Sequence, residues 1–384
     1  MNNKTLGLFF SYGVGIETWE KQGYLNRELK YYTMLGQQLG KVSFFTYDLR
    51  RSCACYSEQS EESLLGDSCT RSDLVQVCTR SDLVPSWLYV FLMPFLQAKA
   101  IKKCDILKTN QMSGALPAII AKIIYRKKLV VRCGYEWLFT LSKAKKPLWE
   151  RAIVYCLEFW AYKIANKIIF TSRADKDFAQ KTFKIKESKI AIISNYIDID
   201  LFKPMPELKK ELNSVCFVGR LSREKNLKEL IAAVNELPQV KLYIAGDGPE
   251  KEALQEQAQN NKKIVFLGKL PNEQLPALLN KCEVFVLPSL YEGNPKALLE
   301  AMACGLPCLT SDIEGIKETV SQNRNGLLVN PLKKDITKGL TLLLRDKFFA
   351  EQLGLQARET IEKGFALEQA LEKEVVLLKD LIAN

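Results

Sequence analysis

Along the second half of the chain, short apolar runs alternate with amphipathic stretches of helical period. SVCFVG (214–219) is followed by KNLKELIAAVNEL, KLYIAG (241–246) by PEKEALQEQAQ, and KIVFLG (263–268) by NEQLPALLNK. EVFVLPS (283–289) then precedes PKALLEAMAC, and PCLTS (307–311) precedes one more helix. Apolar runs with no polar face suit strands covered on both sides, so the pattern predicts an α/β chain with helices flanking a parallel sheet. Ligands of such sheets sit at the carboxyl ends of the strands, in the loops that lead into helices.

The first half repeats the alternation less cleanly. LGLFFSYGVG reads as a strand and turn, NRELKYYTMLGQQLG as a helix, and KVSFFTYD, KKLVVRCG and NKIIFTS as strands. A long aromatic-rich helix is expected from about Trp149 to Ala165. IAIISNYIDIDLFKP closes this region, and the proline-bearing, charged PMPELKKEL reads as a linker. The expected domains are therefore 1–204 and 205–384, the last helix being placed to pack back on the first domain. Within 49–84, CTRSDLVQV (69–77) is followed directly by CTRSDLVPS (78–86), identical at seven of nine positions. One tandem copy is too short for a solenoid, so the segment reads as a variable surface loop carrying a duplication. Its Cys53, Cys55, Cys69 and Cys78 lack the paired CxxC spacing of common zinc sites and read as free thiols.

Composition narrows the function. The 384 residues are 47% apolar and 26% charged, enough for two packed cores. The 11 cysteines are odd in number and scattered, and the start lacks a signal-peptide pattern, so reduced thiols in a cytoplasm are expected. No run approaches the ~18 uninterrupted apolar residues of a membrane span; 83–101 carries Pro85 and Pro94. Histidine is absent, which excludes Ser-His-Asp and Cys-His catalysis and every histidine-bearing zinc site. The net charge is +11, and 97–190 alone holds 21 Lys and Arg against 7 Asp and Glu. That segment suits an anionic membrane surface, while no nucleic-acid recognition motif accompanies it. Trp149, Trp160 and nearby lysines could sit at such an interface, or equally serve as core aromatics with solvated lysines.

The chemistry concentrates in YEGNPKALLEAMACGLP (291–307). Asn294 can cap a helix, Pro295 suits its first turn, and Gly305 can end it. Glu292 then lies in the loop before the helix and Glu300 on it. Helix starts present free N–H groups to anionic or polyhydroxylated ligands, and two carboxylates could each accept from vicinal hydroxyls of a sugar. By themselves these could equally be a solvated loop charge and an ion pair with Lys296. GRLSREKN (219–226) places Arg220 and Lys225 in a strand-to-helix loop of the same sheet edge, where two cations suit a diphosphate leaving group.

Taken together, ISNYIDIDLFKP, FVGRLSREKNLKELI, YIAGDGPEKEAL, VFLGKLP, the 291–307 block and NRNGLLVNP make the chain resemble the family-4 retaining glycosyltransferases, often called group 1. The likeness runs along nearly the whole chain and is strongest from Lys189 to Pro331. It implies a GT-B fold, two Rossmann-like domains with parallel sheets facing across a cleft, the first binding acceptor and the second the nucleotide sugar. It implies retaining transfer of a hexose-type sugar to a glycan or lipid-linked acceptor, as in surface polysaccharide or glycolipid synthesis, with peripheral contact to the membrane's inner face. Glu292 is then expected at the transferred sugar, Glu300 at the ribose, and Arg220 and Lys225 at the diphosphate. The backbone of Gly293, Asn294, Pro295 and Lys296 is expected to meet sugar hydroxyls, that of Gly268, Lys269 and Leu270 the base, and the loop holding Gly13 and Gly15 the phosphates or acceptor. No cofactor and no metal are implied; Asp198 and Asp200 only mimic an acidic metal motif.

Three positions depart from the family pattern. Arg132, Cys133, Gly134 and Tyr135 stand where relatives often carry a histidine; Tyr196 and Asn226 stand where glycine is usual. Other readings of the same sheet are a nicotinamide oxidoreductase, a nucleotide-sugar epimerase and a non-catalytic sugar-nucleotide binder. The first needs GxGxxG, which GVGIET (13–18) and GDGPEK (246–251) both fail. The second lacks support from a Glu-x7-Glu block in transferase form, and the third conflicts with intact Arg220, Lys225, Glu292 and Glu300.

Overall fold

A computed structural model describes residues 4–21, 23–49, 75–80, 84–143, 145–258 and 261–383. The chain divides into two compact units, Met1–Ile193 with Leu371–Asn384, and Ser194–Ala370. This differs from the 204/205 boundary read from the sequence. The segment 204–212, read there as a linker, lies inside the second unit.

Unit 1 is a seven-stranded parallel sheet in the order β3-β2-β1-β4-β5-β6-β7. Its strands are β1 (Lys4–Phe9), β2 (Gly40–Leu49), β3 (Val75–Arg80), β4 (Ile106–Thr109), β5 (Lys128–Cys133), β6 (Lys167–Phe170) and β7 (Ile190–Ile192). β3 corrects part of the loop expected at 49–84: Val75–Arg80 straddles the junction of the two nonapeptides and pairs with β2. Alternating β-branched residues in VQVC allow that pairing. Half of the tandem repeat, 69–74 and 81–83, lies outside the described residues, as do Cys53, Cys55 and Cys69; Cys78 is a buried free thiol.

A charged group crosses the middle of this sheet. Lys108 on β4 is fully buried and donates to Glu374 of the helix Leu367–Ala383. Arg132 on β5 lies 3.8 Å from the same carboxylate, and the Tyr31 hydroxyl donates to it at 2.9 Å. Burial pushes the Glu374 carboxyl up, but Lys108, Arg132 and Tyr31 outweigh that and hold it below its ordinary value. Burial pulls the Lys108 amine down against the attraction of Glu374. From Leu371 onward the last helix belongs to unit 1, where it buries Leu371, Val375 and Leu378 and sets its one buried carboxylate against two sheet cations.

Unit 2 is a six-stranded parallel sheet in the order β10-β9-β8-β11-β12-β13. β8 is Ser214–Val218, β9 Lys241–Ala245, β10 Ile264–Gly268, β11 Val284–Leu287, β12 Cys308–Ser311 and β13 Leu327–Val329. The first five fall where the apolar runs predict them. β8, β11 and β12 are buried throughout, as strands covered on both faces must be. In both sheets the order reads outward in two directions from the first strand. This is the arrangement of Rossmann-like domains, and it opens a crevice at the carboxyl ends of the two central strands.

Candidate functional site

In unit 2 the strand order reverses between β8 and β11, so the loops 219–226 and 288–295 flank one point. The loops after β8 and β9 approach closely: at Gly246 (φ +149°) an added Cβ would sit 1.8 Å from the Gly219 carbonyl oxygen. Beyond Gly219, Arg220 is exposed, and a 3₁₀ turn spans Arg223–Lys225. Asn226 then takes a left-handed conformation (φ +57°), which explains its departure from glycine, since asparagine tolerates that region best among side-chain-bearing residues. Its amide does more than tolerate it. Nδ2 donates to the carbonyls of Pro288 at 3.1 Å and Pro331 at 2.9 Å. With Leu290 N donating to Glu224 O at 2.8 Å, the β8 loop is laced to the β11 loop. The sequence reading passed over this role of Asn226; asparagine standing where glycine is usual was the available signal.

That lacing aligns the charges. Lys225 Nζ donates to Glu292 Oε1 at 2.5 Å, and Ser289 Oγ donates to the same oxygen at 2.7 Å. The side chains of Lys225 and Glu292 are 17% and 11% exposed, so the pair is sheltered but reachable. Backbone at Glu292 and Gly293 is in turn hard against Gly315, where an added Cβ would lie 2.0 Å from Glu292 O. Sequence reasoning placed Glu292 and Lys225 at one sheet edge; the structure joins them directly.

The helix begins one residue later than expected, as Lys296–Ala303 with Pro295 at its cap position and no side-chain cap. Asn294 is not the cap because its side chain is turned into the protein: it is buried, and its Oδ1 has no hydrogen-bond partner among the described residues. Asn195 Nδ2 donates to Asn294 O at 2.6 Å, fixing this turn. Glu300 lies on the helix as read, and is buried. Lys296 stands 5.2 Å from the ring of the buried Tyr196, the second departure from glycine. Gly305 (φ +69°) ends the helix as expected. Gly268 ends β10, two strands from β8, and Lys269 and Leu270 follow it at the same edge; Gly268 is left-handed (φ +67°) with open space about it, and Lys269 is exposed.

The corresponding loop of unit 1 is built differently. Asp48 is buried at the end of β2, and its carboxylate accepts from the amides of Ile16 at 2.7 Å and Glu17 at 3.2 Å. The N-terminus of the helix Ile16–Lys21 thus already holds an anion. An added Cβ at Gly15 would lie 2.0 Å from Asp48 Oδ1, whereas Gly13 (φ +70°) faces open space. Where relatives carry histidine, Arg132 and Cys133 are buried and Gly134 donates to Gln111 Oε1 at 3.0 Å, leaving Tyr135 half exposed. Behind that loop Glu136 and Glu158 are buried against each other, with Trp137 N donating to Glu158 Oε1 at 3.1 Å and Phe139 N to Glu136 Oε2 at 2.6 Å. Burial first, then the Glu136 carboxyl, drives the Glu158 carboxyl well up.

Among the described residues no group of three His, Cys, Asp or Glu side chains is placed to hold a metal ion. Asp198 accepts from the amides of Asp200 at 3.2 Å and Leu201 at 3.3 Å, which makes the acidic pair a turn. No described helix is long and apolar enough to cross a membrane.

Comparison with known proteins agrees with this geometry. Residues 198–360 match the family model described as glycosyl transferases group 1, and 56–201 that described as glycosyltransferase family 4. An Escherichia coli UDP-Gal:alpha-D-GlcNAc-diphosphoundecaprenol alpha-1,3-galactosyltransferase is 29% identical over 74% of this chain and 77% of that protein. A Campylobacter jejuni N,N'-diacetylbacillosaminyl-diphospho-undecaprenol alpha-1,3-N-acetylgalactosaminyltransferase is 30% identical over 66% of this chain and 69% of its own length. Among solved structures, sucrose-phosphate synthase from Thermosynechococcus elongatus superposes with a TM-score of 0.78 at 19% identity, covering 99% of both chains.

Proposed function

Given that the chain belongs to the group 1 glycosyltransferases of GT-B fold and uses a nucleotide-sugar donor, we propose that it transfers a hexose-type sugar from a uridine diphosphate sugar, with retention, to a glycan or lipid-diphosphate-linked acceptor. The observation that carries this reading is the Lys225–Glu292–Ser289 contact at the switch point of unit 2, beside exposed Arg220. When the bond from the sugar's anomeric carbon to the β-phosphate oxygen breaks, negative charge gathers on that oxygen. Arg220 and Lys225 are cations held where it would gather, which lowers the barrier only if they are fixed beforehand. Glu292 does the fixing for Lys225, and Asn226 holds the loop that carries it. Once Lys225 turns to phosphate, Glu292 retains a carboxylate for a sugar hydroxyl.

Retention follows if the acceptor hydroxyl attacks from the face the diphosphate leaves. The departing phosphate oxygen then takes the acceptor's proton, and no side-chain base is needed. The undecaprenol-diphosphate acceptors in the names of both relatives support a lipid-linked acceptor and a place in cell-surface glycan synthesis. Such a protein works at the cytoplasmic face of the membrane without cofactor or metal. The test is a thermal-shift screen against UDP, GDP and ADP and their sugars without added metal. A ligand at about 100 times its Kd adds about 2.7 kcal/mol of stability. A response to UDP and UDP-hexoses is expected. Silence to every nucleotide by well-folded protein would overturn the donor assignment and leave a non-catalytic relative in its place.

A further inference from the structure

Three helices cover one face of the unit 1 sheet. Ala115–Tyr125 packs against both Ser86–Leu96 and Leu148–Ile164, and their inner faces join the strands in one apolar core. Their outer faces ought to be polar, and they are not. On Ser86–Leu96 the outward residues are Trp87 (63% exposed), Phe91 (49%) and Phe95 (56%), one turn apart. On Ala115–Tyr125 the outward row ends in exposed Ile123 and Ile124. On Leu148–Ile164 the row is Trp149 (65%), Ile153 (62%), Cys156 and Trp160 (52%), at helical spacing of four, three and four. Spacing this regular is the mark of an amphipathic helix whose second face is also apolar. Soluble surfaces scatter exposed apolar residues singly; an apolar band across three neighbouring helices marks a surface that is covered in use.

What covers it is indicated by the charge around it. Lys145 and Lys146 lead into Leu148–Ile164 and Lys163 closes it, its ammonium 5.3 Å from the Trp160 ring; Lys99, Arg126 and Lys127 flank the other two helices. From 86 to 164 there are 14 Lys and Arg, of which Lys108 and Arg132 are buried, against four Asp and Glu, of which Glu136 and Glu158 are buried. An apolar band bearing tryptophan and ringed by cations matches the acyl boundary and headgroup layer of an anionic bilayer. We propose that this face is a membrane-docking surface, which seats Trp87, Trp149 and Trp160 at the acyl–headgroup boundary while the basic residues contact anionic lipid headgroups. This deepens the reading that the acceptor is lipid-linked, by naming the surface that brings the protein to the membrane bearing it.

The test is co-sedimentation of the full chain with vesicles of phosphatidylglycerol and phosphatidylcholine, and with phosphatidylcholine alone, together with quenching of tryptophan emission by brominated acyl chains. Binding to the anionic vesicles with quenching is expected, weakened as salt shortens the reach of charge. The triple variant W149S/I153S/W160S should partition at least about tenfold less, and K145E/K146E should mainly lose the anionic preference. Both variants change exposed residues and should keep the wild-type melting temperature and UDP response, which separates failure here from failure of the donor assignment. Wild-type protein that stays in the supernatant at low salt, or a triple variant that binds as wild type does, would overturn the proposal. So would a wild-type dimer that ignores vesicles and is dispersed by the same substitutions, since a second copy would then be the occupant.

Discussion

The two sheets share one strand order, yet they spend their charged residues in opposite ways. In unit 2 the cations and carboxylate gather in the loops beyond β8 and β11: Arg220 is exposed, and Lys225 and Glu292 are sheltered but reachable. In unit 1 the charges at the same level are paired within the fold. Asp48 occupies the helix N-terminus after β1, and the cations of β4 and β5 turn inward to Glu374. A Rossmann-like sheet therefore offers a crevice at its switch point without making it a site. Whether charge is left facing the crevice or is consumed within the core decides that.

The comparison can be broken most sharply at Glu374. Glu374→Ala leaves Lys108 and Arg132 buried without their counter-charge, and should cost about 3–5 kcal/mol in thermal or denaturant unfolding. A loss under about 1 kcal/mol would show that the buried pair is not what holds the last helix to its sheet. Glu292→Ala and Arg220→Ala should instead leave the melting temperature nearly unchanged while lowering turnover about 10²–10³-fold. Near-normal kcat in both would remove unit 2's claim to the chemistry.

Glu158→Gln tests a charge that unit 1 keeps neutral. Its folded value is raised by burial, so above its unfolded value near 4.5 the folded state holds a proton that the unfolded state has lost. Stability then falls as pH rises through that window, by up to about 1.4 kcal/mol per unit. The glutamine variant should be more stable than wild type in alkali and show a flatter melting-temperature profile; parallel profiles would refute the assignment. The smallest expected effect is at Asn226. Asn226→Ala loses two hydrogen bonds and strains a left-handed residue, at about 1–3 kcal/mol. Asn226→Gly should recover the strain but not the lacing, so kcat should fall more than stability. A glycine variant with the kcat and stability of wild type would show that the side chain's bonds to Pro288 and Pro331 do not matter.

Unit 2 was legible because five of its strands are unbroken apolar runs and its chemistry sits in loops that follow them. β13 was missed because it is three residues long. In unit 1, β4 was missed for a different reason. ILKT carries Lys108 at its centre, and no local pattern announces a charged residue in a buried strand whose partner is 266 residues away. β3 was hidden by the nonapeptide duplication, which reads as a loop and whose junction forms the edge strand. The direct Lys225–Glu292 contact was only half legible: the residues' shared sheet edge follows from strand-helix alternation, but their pairing does not.

The sequence by itself determined the α/β class, the doubly covered sheets, and the crowding of Arg220, Lys225, Glu292 and Glu300 at one edge of unit 2. Those follow from local period and loop position, which neighbouring residues encode. Only the tertiary structure decided that Glu374 belongs to the first sheet, that Asp48 occupies the unit 1 helix N-terminus, and that the outward rows of three helices form one apolar face. Each of these depends on side chains far apart in the chain meeting in space, and a buried or exposed environment exists only once they have met.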